Sequence, residues 1–362
     1  MLMQHDGFDH YGTTALQTAT SVAATQLVSD GYTQPTGACS CSTTYGKNTG
    51  SLGVGLTTNT GDLVWLKKPI KPEGAIANNA DYTPQKLLVL GFAARFPLAL
   101  TGQLYFATIG GVKVSIGTDW YIYVDGVQTT YQCELNIWNF IELKIDIANN
   151  KFQLWMTETM ILEKDWTPVA LDFWEIRAQL LTGSGTTIQL HVDDYYLLDG
   201  NAVGYDGKAT GNIERIGKAT TLTRYPTADD TKQLTPDSGI ANFSRVNSAS
   251  PDGDTSYVSG NAAGLGDLYT NTTAFTTVDD AAIRAVTIVP SARLLEPDSL
   301  GVTAVVKVDD KESVGYRMKL KAATYSTQKH IFENSPKTGA PWTPTEALNV
   351  KFGPRILAKP TT

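Results

Sequence analysis

With 362 residues, 42% hydrophobic and 18% charged, the chain is long enough for two domains with full cores. A net charge of −7 argues against a nucleic-acid binder, because phosphate contacts need a basic surface. No apolar run approaches the roughly 20 residues that span a bilayer, so no membrane insertion is expected. The acidic start MLMQHDGFDHY lacks the basic and apolar regions of a secretory signal. Three cysteines, Cys39, Cys41 and Cys133, do not make a disulfide framework, and are expected to be reduced, structural thiols.

In chain order, Gly7 and Gly12 bracket Phe8-Asp9-His10-Tyr11, read as a short edge strand. His5 and His10 beside Asp6 and Asp9 are either a metal or acid–base cluster or merely capping carboxylates, the second being the commoner case. ALQTATSVAATQLVSDGY, residues 15–32, is ambiguous between a short helix and a strand pair, and Gly37 to Gly50 is turn-rich. Lys67-Lys68 reads as solvated, and residues 67–85, with Pro69, Pro72 and Pro84, read as a long exposed loop.

From Lys86 the strands are clear. LLVLGFAARF is apolar almost throughout, as a strand covered on both faces requires. GQLYFATIGG, VKVSIG and DWYIYVDG follow, and Asp125-Gly126 marks a two-residue hairpin. WNFIELKIDI alternates strictly, with Ile141, Leu143, Ile145 and Ile147 inward and Glu142, Lys144 and Asp146 outward. KFQLWM returns with Trp155 outward.

TIQLHVDDYYLLDG is the pivotal stretch. Ile188, Leu190 and Val192 share one face, and Asp194 then falls on it. A buried carboxylate there costs several kcal/mol unless hydrogen bonds, a cation or a bulge relieve it. Residues 201–218 are Gly-rich and form the expected linker. Beyond it, AIRAVTIVPSARLL, LGVTAVVKVDD and VGYRMKLKAATY are strands, and TPTEALNVKFGPRIL holds a short helical turn before a last strand. The expectation is an all-β chain of two β-sandwiches: residues 1–200, a jelly roll, and 219–362, smaller and antiparallel, for docking or oligomerisation.

The pieces IELKIDI, FQLWM and TIQLHVDDYYLLDG resemble the concanavalin A-like, or laminin G-like, jelly roll. That resemblance implies that the first and last strands pair, bringing GFDHY beside HVDDYYLL. The order DGFDHY, DDYYLLDG, IGKATTLTRYPTAD, DTSYVS, AIRAVTIVPSAR and ALNVKFG also resembles a group of tailed-bacteriophage structural proteins. This implies a virion component made in the host cytoplasm: a head decoration, collar or tail-associated protein, assembling with other virion proteins and as a homo-oligomer.

On this reading no enzymatic activity is expected. A glucan-cleaving jelly roll places Glu-x-Asp-x-Glu on one strand face, whereas Glu142-x-Lys144-x-Asp146 puts a lysine in the middle. A solvated strand face is the expectation there. Trp155, Tyr121 and Tyr123 are candidate contacts for a host-surface glycan. Asp6, Asp9, Asp193 and Asp194 would gather if the terminal strands pair, and are candidate ligands of a structural calcium; PDGDTSYV is a weaker calcium loop. No other cofactor is implied.

Overall fold

The computed structural model describes residues 1–11, 14–15, 27–28, 30–35, 37–48, 51–58, 62–71, 84, 86–181, 187–200, 215–239, 241–249, 252–272, 282–295, 300–318, 320 and 322–359. Most of residues 15–32, open between a short helix and a strand pair, and most of the expected linker, residues 201–214, lie outside these.

Among the described residues, the first 200 positions supply fifteen strands: β1 Leu2–Asp6, β2 Thr14–Ala15, β3 Ala38–Ser42, β4 Gly53–Thr58, β5 Leu63–Pro69, β6 Leu87–Arg95, β7 Leu104–Ile109, β8 Val112–Ile116, β9 Tyr121–Val124, β10 Val127–Gln132, β11 Trp138–Asp146, β12 Lys151–Met156, β13 Thr159–Asp165, β14 Phe173–Leu180 and β15 Ile188–Asp199. They make two antiparallel sheets. The nine-stranded sheet runs β13-β12-β11-β6-β15-β4-β3-β2, with β1 also on β15; the six-stranded sheet runs β10-β9-β8-β7-β14-β5. Between them lies one core in which Phe92, Phe96, Phe106, Phe152, Trp174 and Tyr195 are fully or almost fully buried.

The remainder gives β16 Ala228–Thr231, β17 Thr235–Pro236, β18 Val258–Ser259, β19 Leu268–Thr270, β20 Val286–Ile288, β21 Ser291–Ala292, β22 Gly301–Val308, β23 Lys311–Val314, β24 Ser326–Thr327, β25 His330–Phe332, α1 Pro344–Leu348 and β26 Lys351–Leu357. A five-stranded sheet, β16-β19-β26-β22-β23, and the β20–β25 ladder enclose a smaller core around Val306, Phe332, Trp342 and Val350. Thr343 and Glu346 form a reciprocal capping box that starts α1 at Pro344. The chain is all-β, with a jelly-roll-like first sandwich and a smaller antiparallel second one.

Local signals explain the hairpins. Asp125 and Gly126 both have positive φ, 49° and 81°, and join Val124 to Val127 as a primed two-residue turn requires. β6 is buried on both faces because it feeds two cores. Leu88, Leu90 and Phe92 enter the sandwich, while Val89 and Ala93 join Leu2, Leu87, Phe140, Tyr196 and Leu198 in a second cluster on the sheet's outer side. Ile216, Ala219, Ala285 and Ile331 pack on that cluster, so the second part of the chain covers the nine-stranded sheet.

Several expectations are corrected. The strand at the start is Leu2–Asp6, and Asp9–Tyr11 is a 3-10 turn. Terminal pairing holds, with Leu2 opposite Leu198 and Asp6 opposite Tyr195. Lys67 and Lys68 belong to β5, where Lys68 is buried, because the apolar alternation of Val64 and Leu66 carries the strand past them. Glu142 and Lys144 are buried, not solvated, since the covering layer comes from residues far along the chain.

Candidate functional site

The six-stranded sheet offers the most chemistry. Val64 and Leu66 on β5, Ile176, Ala178 and Leu180 on β14, Val114 and Ile116 on β8, and Ile122 and Val124 on β9 enter the core. Period two then turns their neighbours away from it. Register aligns five of these in one row: Gln128 faces Tyr123, Tyr123 faces Ser115, Ser115 faces Tyr105, and Tyr105 faces Gln179. Four strand spacings make this row roughly 19 Å long. A parallel row sets Lys113 opposite Thr108, Thr108 opposite Glu175, and Glu175 opposite Lys67. Arg177 and Trp65, opposite one another, lie between the two.

The register slips on β7 between Tyr105 and Ala107, and on β14 between Ile176 and Gln179. That irregularity lets the Arg177 guanidinium lie over the Tyr105 ring, 4.5 Å from its centroid. Tyr105 is buried, and burial raises its phenol pKa. Tyr123 donates to Asp119 Oδ2 at 2.7 Å, and this hydrogen bond holds its phenol above the usual range. Gln128 donates to the same oxygen at 3.2 Å, and Gln103 Nε2 donates to Ser115 Oγ at 2.8 Å. Glu175 sits between Lys67, 3.1 Å away, and Arg177. Three strand spacings, roughly 14 Å, separate Glu175 from the Asp119 end. That exceeds the carboxylate separation of either glycosidase class.

Tyr121 and Tyr123 are thus on one face, as expected, but Trp155 is not with them. It lies on β12 of the other sheet, under the Arg215 guanidinium at 3.8 Å. Arg215 in turn donates to Glu142 Oε2 at 2.7 Å, and Gly217 N donates to Glu142 Oε1 at 3.0 Å. Tyr196 donates to Glu142 as well. The expected trio is two separate places. Trp65, Tyr105, Glu175, Arg177 and Gln179 were missed, although LVWLKKP and EIRAQL both alternate; the slipped register on β7 and β14 blurs the phase between them.

The four candidate calcium ligands divide into two sets, each balanced by a lysine. Asp6 accepts from Phe8 N at 2.8 Å and Tyr32 Oη at 3.1 Å, and pairs with Lys329 from the far part of the chain. Lys329 is also 3.6 Å from Asp30, which takes Tyr11 Oη at 2.6 Å and lies 3.2 Å from His10 Nε2. Lys329 and His10 hold the Asp6 and Asp30 carboxyls below the usual range despite burial. Asp6, His10 and Asp30 present ligand atoms within 4.8 Å of one another, the spacing a metal would use, but the Lys329 ammonium already stands against the two carboxylates.

Asp194 pairs with Lys47 Nζ at 2.7 Å and accepts from Thr221 N at 2.7 Å; Asp193 accepts from Lys47 N at 2.8 Å. Burial, with the adjacent Asp194 charge, pushes Asp193 up to about 8. Asp9 accepts from Leu52 N at 2.6 Å. In PDGDTSYV, Asp252 accepts from Ser248 at 2.9 Å and Asp254 pairs with Arg293 at 2.7 Å. The three cysteines are buried and in no disulfide, and burial pushes Cys133 up to about 12.

No family model matches the chain, and no curated protein matches it. Solved structures do. A sialidase shares 12% identity at a TM-score of 0.37 over 54% of this chain, but only 19% of the sialidase is covered. The catalytic domain of a glycoside hydrolase family 131 protein from Coprinopsis cinerea shares 12% at 0.35, over 48% of this chain and 80% of that one. The alginate lyase AlgAT5 of polysaccharide lyase family 7 shares 8% at 0.33, over 40% and 77%. The likeness is one of fold, a β-sandwich jelly roll. The expectation of a chain without enzymatic activity is withdrawn: the solved structures similar to this chain include a sialidase, an alginate lyase and a glycoside hydrolase domain, and the likeness speaks to fold alone.

Proposed function

We propose that the protein recognises carbohydrate on the outer face of its six-stranded sheet. The observation that carries this reading is the row Gln128, Tyr123, Ser115, Tyr105, Gln179, which runs across five strands in register. Of the two phenol rings, Tyr105 is buried under Arg177, so the half-buried Tyr123 ring is the one that offers a flat apolar surface to the C–H face of a sugar, with amide groups beside it to exchange hydrogen bonds with the sugar hydroxyls. A row roughly 19 Å long suits a chain of several sugars better than one.

The test is binding of the purified protein to an oligosaccharide panel, with product analysis of each bound glycan for cleavage. Specific binding weakened at least tenfold by Tyr123→Ala supports the reading; binding untouched by Tyr123→Ala and by Gln179→Ala together refutes it.

A second reading has its own observation. Leu222, Tyr257, Leu295 and Leu348 are exposed, Leu295 by 80%, and all line a cleft of about 2030 Å³ in which the second part of the chain meets the first. Exposed apolar groups gathered along one cleft suit an assembly surface. This agrees with a virion component, a decoration, collar or tail-associated protein, packed against copies of itself or other virion proteins. Light scattering tests it: an oligomer at micromolar concentration that Leu295→Glu dissociates supports assembly, and a monomer throughout refutes self-association.

A further inference from the structure

Two N–H groups on the proposed carbohydrate face have no hydrogen-bond partner. They are Arg177 Nε and the Trp65 indole Nε1, both buried at the atom. They come from residues directly opposite each other on β14 and β5. Buried donors in folded proteins are nearly always paired, so two adjacent unpaired ones mark a place where an acceptor is missing. The rest of the Arg177 fork is accounted for by Glu175 and the Tyr105 ring.

Around this pair cations outnumber carboxylates. Lys67 and Arg177 share the single carboxylate of Glu175, and Lys113 is exposed at the other end of the same row. This excess of cation sits on a chain with a net charge of −7. Lys67 Nζ stands 5.3 Å from the Trp65 ring centroid and 4.6 Å from that of Phe173. It is a long side chain with four rotatable bonds, so a change of rotamer uncovers the indole.

From this geometry we infer that the Trp65–Arg177 pair is a carboxylate subsite, and that the glycan the sheet takes is acidic. A carboxylate brings two acceptor oxygens and no donor, which matches two donors with nothing to give back. A sugar hydroxyl would bring a hydrogen of its own that finds cations on either side. The approaching charge draws the Lys67 ammonium off the indole and toward the ligand, and the Arg177 fork completes the contact. The inference rests on the carbohydrate reading and adds to it the class of ligand.

Titration calorimetry with a polyuronate oligomer and with the same oligomer after reduction of its carboxyl groups separates the two. The full chain is expected to bind the acidic form at least tenfold more tightly, since a hydrogen-bonded charge contributes about one order of magnitude or more. Arg177→Gln and, with the ring retained, Trp65→Phe are each expected to remove most of that difference between the two forms. Arg177→Lys keeps the charge and loses the fork, and is expected to restore only part of it. Equal binding of both forms, abolished by Tyr123→Ala, overturns the acidic subsite and leaves carbohydrate recognition standing. Tight acidic binding that survives both Arg177→Gln and Trp65→Phe overturns the subsite as well. Binding of neither form, in a protein whose thermal unfolding is intact, overturns both.

Discussion

Lys329, Asp6 and Asp30 place one ammonium against two carboxylates, with side chains almost wholly buried. Removing the cation leaves uncompensated buried charge, which costs about 3–5 kcal/mol. Lys329→Met is therefore expected to lower the urea midpoint sharply. The double variant Lys329→Met with Asp6→Asn is expected to recover part of the loss, because one of the stranded charges is gone. Equal midpoints for Lys329→Met and the parent would show that this contact does not stabilise the fold.

The histidines set a pH dependence of definite sign. Burial lowers His5, His191 and His330 each to about 4, from an ordinary value of 6.5. His191 accepts from Arg95 Nε at 2.9 Å and meets Gln189 at its other nitrogen, which fixes a neutral ring. The unfolded chain takes up these protons first, so their stabilisation, complete above about 6.5, is lost as pH falls toward about 4. Asp193 works the other way. Its folded pKa is raised to about 8, so its contribution is complete below about 4 and is lost as pH rises through about 8. In calorimetric scans the melting temperature of Asp193→Asn, relative to the parent, is expected to climb between pH 4 and pH 8. A flat difference would refute the assignment.

At the scale of elements, β15 carries the argument. Ile188, Leu190 and Val192 enter the core, and so do Tyr195 and Leu197, which are one residue out of phase with them. The extra residue is absorbed where the register slips between Asp193 and Tyr196, and Asp194 takes a φ of +48° there. On one side β15 pairs with β4 up to Val192 and with β1 from Tyr195, so the bulge falls in the gap between two short partners. Asp194→Val is expected to cost about 3 kcal/mol or more, combining a lost ion pair with a branched side chain at positive φ. Asp194→Asn, which tolerates that backbone, is expected to cost clearly less. Urea unfolding of the two variants decides between strain and charge.

Much of this was readable in one dimension. Alternation located β11, β12 and β9, Asp125-Gly126 located the hairpin from β9 to β10, and Asp194 on an apolar phase announced a bulge or a bound partner. What alternation cannot supply is the identity of a covering layer. Glu142 and Lys144 look like solvent-facing positions because polar residues alternate with apolar ones there. Both are buried, and Glu142 is held by Arg215 and Gly217, which no local window contains. The row on the six-stranded sheet failed to emerge for a related reason: its five residues come from five strands and meet only through register.

For the whole molecule, the outer cluster of Leu2, Leu87, Val89, Ala93, Phe140, Tyr196 and Leu198 makes the second part of the chain a cover. A fragment ending at Gly200 is expected to expose that cluster, bind a hydrophobic dye and unfold at a lower temperature than the full chain. A fragment with unchanged melting temperature and no dye binding would show that the first sandwich needs no cover.

The closing partners of β1 lie far along the chain. Met1 donates to the carbonyl of Asp199, 198 residues on, and Asp6 awaits Lys329, 323 residues on. During synthesis at about 5–20 residues per second, the first of these gaps lasts roughly 10–40 s and the second longer. For that time the edge of β1 waits without its partner strand and the Asp6 carboxylate without its cation. Yield in a recombinant host should therefore be governed by chaperone supply and growth temperature, more than by the final stability of the folded chain.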